Sequence, residues 1–228
     1  MAAPDASAGA PLMTGPAAPI DPMRGRQVLR VGGDPDAVAQ QRGDDWAAGP
    51  CRITTPLPEG YPAPTPPGAI ELKRYPAVRR AQVAGRQNPD LATNIAFFPL
   101  FNHIKRRDIA MTSPVEVDYA DPSASDTTWT MSFLYRTADL GPTGTDETNR
   151  RVEVIDAPAV TVLAVGIEGP YSLARIRQGL DELDRWLAAN SDWRRAGEPR
   201  ALYYNGPEMP NRAKWSEAQI PVVFAPGK

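Results

Sequence analysis

The sequence is poor in the residues that build cross-links and metal centres. Its 228 residues include one cysteine, Cys51, and one histidine, His103. A single cysteine excludes an intrachain disulfide framework and any cysteine-rich metal or iron–sulfur site. A single histidine excludes a metal centre built from several imidazoles. A serine–histidine–aspartate type of catalytic triad would have to use His103.

The chain also lacks a surplus of positive charge and a long apolar run. It has 25 Lys+Arg against 27 Asp+Glu, a formal net charge of −2. Proteins that neutralise phosphate backbones need a basic surplus, so we expect no nucleic-acid partner. No stretch approaches about 18 consecutive apolar residues, which predicts no membrane span. The N-terminus lacks the basic and apolar regions of a secretory signal, which indicates a cytoplasmic protein.

Proline and glycine are abundant but unevenly distributed. Residues 1–69 hold 13 of the 26 prolines and 9 of the 18 glycines. We therefore predict that residues 1–69 are a partly disordered N-terminal extension, with residues 1–20 disordered and residues 21–69 forming an extended, poorly packed arm. A linker or terminal extension is the simpler interpretation. A lid, or a segment that binds a protein partner, is the alternative.

The remaining residues, 70–228, contain an internal repeat with an offset of 82 residues. The segment IEL at Ile70 aligns with VEV at Val152, and PAV at 76–78 aligns with PAV at 158–160. Each copy begins with alternating apolar and polar residues, as a strand does, and continues with a helix and two further strands. Two such strand–helix–strand–strand copies predict one α+β domain. Its two helices would pack on an antiparallel sheet or a distorted open barrel with pseudo-two-fold symmetry.

The two predicted helices differ in the strength of their signal. In the second copy, leucine and isoleucine recur at steps of three and four from Leu173 to Leu187, with Ser172 as the N-cap and Asn190 as the stop. In the first copy, we predict a shorter helix over residues 98–106. Pro99 then occupies the first turn, where its missing N–H costs nothing.

The stretch from Phe97 to Val117, FFPLFNHIKRRDIAMTSPVEV, resembles the SOUL haem-binding protein family. That family pairs an aromatic–x–x–Leu–x–x–aromatic–Ile helix with an Ile-x-Met-Thr-x-Pro-Val strand. The residues that fit the pattern are Phe97, Leu100, Ile104, Ile109, Met111, Thr112, Pro114 and Val115, with His103 at the second aromatic position. The resemblance covers residues 70–223. It implies a fold of two repeats, similar to the effector-binding domains of some bacterial regulators, and the binding of haem or another tetrapyrrole in a hydrophobic groove.

The resemblance implies a set of candidate ligand-binding residues. Among them, His103 is the candidate ligand of the haem iron. A partly buried packing role is the alternative for His103. The Lys105–Arg107 cluster would pair with haem propionates, or else matches the negative end of the helix dipole. Met111 and Met131 offer thioethers but lie on apolar strand faces, and Cys51 would reach iron only if the arm folded over the groove. The full candidate set is His103, Phe97, Leu100, Phe101, Ile104, Lys105, Arg106, Arg107, Met111, Met131 and Phe133.

A catalytic function is the weaker interpretation. Glu71, Glu116 and Glu153 fall mid-strand, where a buried carboxyl has a raised pKa suited to acid–base chemistry. Their spacing does not pair them into a catalytic set, and the sequence has no nucleophile elbow, glycine-rich phosphate loop or HExxH motif. We therefore predict a non-catalytic haem- or tetrapyrrole-binding protein. The alternatives are a regulator-like domain for another small amphipathic ligand and an enzyme that uses a groove carboxylate.

Overall fold

The computed structural model describes residues 19–87 and 92–227, so nearly all of the segment predicted to be disordered lies outside the described residues. Within those ranges the chain forms two α-helices and fourteen strands, besides a short 3₁₀ helix at Asn211–Ala213. Their bounds are β1 Val28–Gly33, β2 Gln40–Arg42, β3 Asp45–Ala48, β4 Cys51–Ile53, β5 Ala69–Tyr75, β6 Val78–Gln87, α1 Ala92–Arg106, β7 Val115–Tyr119, β8 Thr127–Leu134, β9 Gly144–Thr145, β10 Glu153–Ala157, β11 Val160–Glu168, α2 Leu173–Ala189, β12 Trp193–Arg195, β13 Arg200–Tyr203 and β14 Trp215–Phe224.

Eleven of these strands form one large antiparallel sheet that does not close into a barrel. The strand order is β1-β5-β11-β14-β13-β7-β8-β6-β10-β9, and β12 pairs with β14. Helix α1 packs on β6 and β8, and helix α2 packs on β11 and β14. The predicted α+β fold, with two helices on an antiparallel sheet, is confirmed.

The strand pairings follow the same order in the two halves of the sheet. Strand β6 lies between β10 and β8, while β11 lies between β5 and β14. Strands β7 and β13 pair with each other where the halves meet. Each half begins with two strands separated at a proline, Pro76 or Pro158, which has no N–H to continue a ladder. The first strand of each pair, β5 or β10, pairs with a strand of the opposite half, β11 or β6 respectively.

One face of the sheet builds the main core under the two helices. Val117, Trp129 and Met131 belong to this core with the apolar stripe of α2. The helix approaches the sheet closely at Gly179, where an added Cβ would lie 2.9 Å from the Cβ of Ala218. Helix α2 begins and ends as predicted, because Ser172 Oγ accepts a hydrogen bond from the Arg175 N–H and Asn190 follows the last turn.

The other face of the sheet is covered by the arm, so the prediction of a poorly packed arm is wrong for the described residues after residue 20. Strand β1 pairs with β5, and the buried Cys51 and Ile53 join a second apolar cluster. Trp215 Nε1 donates to the carbonyl oxygen of Thr65 at 2.7 Å. At this point the arm passes over β11 at Gly166. The missing side chain allows the close approach, because an added Cβ at Gly166 would lie 2.2 Å from the Pro66 carbonyl oxygen.

Because both faces are covered, polar side chains on the arm side of the sheet are buried as well. Lys73 and Glu217 are fully buried and form an ion pair with Nζ and Oε1 3.0 Å apart. Thr65 N–H and Tyr204 O–H also donate to the Glu217 carboxylate, at 2.7 Å each. The alternation in β5 therefore separates two buried faces, rather than a buried face from a solvated one.

Helix α1 is longer than predicted, since it begins at Ala92 and places Pro99 in its interior. Burial of Ala96 and Leu100 against the sheet accounts for this, because tertiary packing overrides the local cost of a proline. The strand at the Ile-x-Met-Thr-x-Pro-Val pattern begins only at the last residue of that pattern, Val115. Within residues 19–87 and 92–227, no helix has the length and apolar character needed to cross a bilayer.

Candidate functional site

An apolar groove of about 490 Å³ lies on the helix side of the sheet, where β7 and β13 meet. Its volume falls within the range of small-molecule sites, roughly 300–1,000 Å³. Both halves of the chain contribute, since its lining comes from α1, β7, β8, the segment that leads into α2, the end of β13 and the segment between β13 and β14. The lining residues are Phe97, Phe98, Val115, Tyr119, Met131, Tyr171, Ser172, Leu173, Tyr203, Asn205, Gly206, Pro207 and Lys214.

Phenylalanines of α1 form the aromatic wall of the groove. The Phe97 ring makes an edge contact with Phe133 at 5.3 Å between centroids, which anchors it to the core. It also stacks on Phe101 at 5.8 Å. Phe98 lines the same groove while 66% of its surface is exposed. These aromatic faces suit a flat apolar ligand.

The opposite end of the groove is polar. Lys214 lies there, with its Nζ 5.1 Å from the centre of the Tyr171 ring. The hydroxyl of Tyr171 lies 3.1 Å from Asn205 Oδ1 and 3.0 Å from the Trp215 carbonyl oxygen. Burial raises the pKa of Tyr171, which keeps the phenol neutral. In the described part of the chain, Lys214 is the one charged side chain that lines the groove.

His103 does not line the groove, and its geometry does not support the predicted role as an iron ligand. The side chain is fully buried, with Nδ1 against the Asp146 carboxylate and Nε2 2.8 Å from the Tyr135 hydroxyl. Nδ1 donates to Asp146, so Nε2 accepts from Tyr135 O–H and its lone pair is used. The alternative prediction, a buried packing residue, agrees better with this geometry, and His103 also fastens the segment just after β9 to α1 through Asp146.

The ionisation states of this buried cluster agree with that arrangement. Burial lowers the pKa of His103, while the neighbouring Asp146 acts in the opposite direction. Burial alone would raise the pKa of Asp146. The hydrogen bonds from His103 and from the Asn149 and Thr148 N–H groups nevertheless hold it well below its usual range. The cluster therefore holds a neutral imidazole against an ionised carboxylate.

The basic cluster at the end of α1 is directed to the same carboxylate rather than to the groove. Arg106 Nη2 lies 3.0 Å from Asp146 Oδ1, and Arg107 Nε lies 3.8 Å from Asp146 Oδ2. Lys105 is exposed and does not line the groove. The predicted pairing of the Lys105–Arg107 cluster with propionates is therefore not supported by its position.

The other candidate residues divide between the groove and the core. Phe97 and Met131 line the groove, and Phe101 supports its wall from a partly exposed position. Leu100, Ile104 and Phe133 are core residues, and Met111 packs against that core without lining the groove. Cys51 is buried under the sheet on the arm side and does not reach the groove.

The three glutamates that could support catalysis lie away from the groove. Glu116 alternates with Val115 and Val117 along β7, so it faces the arm side, where its carboxylate pairs with Arg80 at 3.2 Å. Glu71 pairs with Arg30 at 3.1 Å, and Glu153 accepts from Gln82 at 3.2 Å. Within residues 19–87 and 92–227, no carboxylate lines the groove.

The sequence-based candidate set missed the polar end of the groove. Tyr171, Asn205 and Lys214 lie in short connections that precede α2 or follow β13. One signal was available: the run Tyr-Tyr-Asn-Gly-Pro at 203–207 places aromatic and amide groups in a turn at the end of a strand. Their convergence with α1 depends on the pairing of β7 with β13, which no local pattern specifies.

Comparison with protein families places this arrangement in a known group. The family described as SOUL heme-binding protein matches residues 63–217, more than half of the chain. The chain belongs to the SOUL heme-binding protein family. The SOUL match includes the groove and most of the sheet but begins after β4. No curated protein matches the sequence.

Solved structures with the same fold include EcmrR, as its C-terminal domain and in complex with DNA, and a hydrolase. The crystal structure of the EcmrR C-terminal domain has a TM-score of 0.53 and 18% identity, and the alignment covers 68% of this chain and 98% of that domain. EcmrR in its DNA complex has a TM-score of 0.56 and 19% identity. That alignment covers 68% of this chain and 57% of EcmrR, so this chain spans just over half of that protein. A hydrolase from Listeria innocua has a TM-score of 0.50 and 14% identity, and the alignment covers 71% of this chain and 94% of the hydrolase. At these identities the likeness shows the fold alone.

Proposed function

We propose that the groove binds haem or a related tetrapyrrole and that the protein does so without catalysing a reaction on it. The observation that carries this proposal is the lining of the groove, which is largely apolar and aromatic and includes a single cation among the described residues, Lys214. A tetrapyrrole combines a flat apolar ring with carboxylate side chains, so each part of the ligand has a counterpart. The family membership supports the same ligand class.

The residues present suit a haem held by contacts to its ring and its propionates. Phe97 and Phe98 would contact the macrocycle, and Lys214 would pair with a propionate. His103 takes no part, because its Nε2 already accepts from Tyr135. We therefore infer that imidazole does not bind the iron and that apolar contact supplies most of the affinity.

The proposal of a non-catalytic role follows from the placement of the acidic groups. Acid–base or nucleophilic chemistry on a bound ligand needs a reactive group within hydrogen-bond reach of it. The groove offers neither a carboxylate nor an imidazole among its described lining residues. A cytoplasmic location remains part of the proposal.

Titration with haemin tests this function. We expect a Soret band that saturates at one haem per chain with submicromolar affinity. Lys214→Ala should weaken binding about 5–20-fold, the value of one charge-assisted contact in a partly buried site. Lys105→Ala is the matched control, since this exposed lysine lies off the groove, and it should leave affinity unchanged.

Two results would contradict the proposal. One is the absence of a saturable band, and tight retention of another flat amphipathic acid would then favour the regulator-like alternative. The other is a loss of affinity in Lys105→Ala but not in Lys214→Ala, which would move the binding site to the end of α1.

A further inference from the structure

Strand β4 of the arm lies directly behind the polar end of the groove. Cys51 Sγ lies 3.2 Å from the Lys214 carbonyl oxygen, and Asn205 Nδ2 donates to the Arg52 carbonyl oxygen at 2.6 Å. Lys214 and Asn205 line the groove, whereas Cys51 and Arg52 do not. The arm thus contacts the groove's polar residues from outside without reaching the ligand space.

Asn205 connects four segments of the chain at this point. Its Oδ1 accepts from the Trp215 N–H at 2.7 Å, and its own N–H donates to the Tyr171 hydroxyl at 2.7 Å. With the Arg52 contact, one side chain ties together the end of β13, the start of β14, the segment before α2, and the arm. Its position therefore depends on the arm as well as on the strands of the main sheet.

The backbone of Lys214 is fixed from two directions. Its carbonyl oxygen accepts from the Gly169 N–H at 3.0 Å in addition to the Cys51 thiol. Burial raises the pKa of Cys51 to about 11, so the thiol keeps the proton that it donates. These contacts leave the Lys214 side chain against the Tyr171 ring, at the groove's polar end.

We propose that the arm is a positioning element of the binding site: through Cys51 and Arg52 it fixes Lys214 and Asn205, and so sets the affinity of the groove for the ligand's carboxylate. This inference rests on the proposed function. It extends the site to residues before position 63, outside the part of the chain that matches the family.

The test compares haemin with haemin dimethyl ester, which keeps the ring but lacks the carboxylates. Cys51→Ala removes the donor to the Lys214 carbonyl and should weaken haemin binding about 3–10-fold, while ester binding changes less than about two-fold. Cys51→Ser restores a donor at the same position and should recover most of the lost affinity. Asn205→Ala should show the same selective loss as Cys51→Ala.

Ile53→Val is the matched control, because Ile53 is buried in the same strand but has no contact with the groove. It should lower stability without changing the ratio of the two affinities. Equal weakening of haemin and ester by Cys51→Ala, or no weakening of either, would overturn the positioning role while leaving haem binding intact. Failure of the wild-type protein to bind either compound would instead refute the proposed function, and this inference with it.

Discussion

Replacing His103 with asparagine separates a structural histidine from an iron ligand. The asparagine amide can still donate to Asp146, but the Tyr135 hydroxyl loses the Nε2 acceptor that lies 2.8 Å away. A buried hydroxyl without a partner costs about 1–3 kcal/mol, and the space left by the missing ring atoms adds roughly 1 kcal/mol. We expect the free energy of unfolding to fall by about 2–4 kcal/mol, measured by urea denaturation at pH 7.

The same substitution should also change how stability depends on pH. The pKa of folded His103 is lowered, so below its ordinary value of 6.5 the unfolded chain binds a proton that the folded chain does not. The contribution of neutral His103 is therefore present above pH 6.5 and is lost as pH falls towards the folded pKa. Over the pH range between the two pKa values, each one-unit fall in pH lowers the free energy of unfolding by about 1.36 kcal/mol.

Urea denaturation between pH 7.5 and pH 5 measures this difference. The wild type should lose stability over that range, and His103→Asn should lose less, because His103 is the sole histidine of the chain. Asn102→Ala, an exposed change on the same helix, should follow the wild type. Parallel pH profiles for wild type and His103→Asn would refute the neutral, buried assignment, and a shifted Soret band for the haemin complex of the variant would restore His103 as a ligand.

Three further substitutions test the packing that supports the site. Gly166→Ala places a Cβ 2.2 Å from the Pro66 carbonyl oxygen, so we expect a loss of about 2–3 kcal/mol by thermal denaturation; an unchanged melting temperature would contradict the close crossing. Lys73→Met leaves Glu217 buried without its cation and should lower the free energy of unfolding by about 3–5 kcal/mol. The double variant with Glu217→Gln should restore part of that loss. An unchanged stability in Lys73→Met would show that the pair is hydrated. Ser172→Ala should lower stability by about 1 kcal/mol through loss of the α2 N-cap, and an effect below the error of the measurement would argue against the cap.

The sequence predicted best those elements whose signals are local. Helix α2 was located from its apolar period and from caps at Ser172 and Asn190, all of which act within one or two turns. The start of α1 was missed because the local rule for Pro99 gave way to burial of Ala96 and Leu100 against the sheet. The arm was misjudged for a similar reason, since its proline and glycine content says nothing about the edge of β5 with which β1 pairs.

The site was predicted less completely because its parts come from distant positions. Phe97 of the recognised motif lines the groove, and so does Met131, a candidate from the strand that follows the motif. The pairing of His103 with Asp146 was not predicted, because Asp146 lies 43 positions away and outside the recognised motif. Lys214 was missed because its proximity to α1 arises from the pairing of the two halves at β7 and β13.

The most direct test of the account fills the groove and measures haem binding. Val115 is partly exposed and lines the groove, so the larger ring in Val115→Phe can enter the groove rather than the core. Val223→Phe, at a position that is 48% exposed and does not line the groove, is the matched control. In haemin titrations followed at the Soret band, we predict at least about ten-fold weaker binding by Val115→Phe, wild-type binding by Val223→Phe, and similar melting temperatures for both. Wild-type affinity in Val115→Phe would show that haem binds elsewhere and would contradict the account.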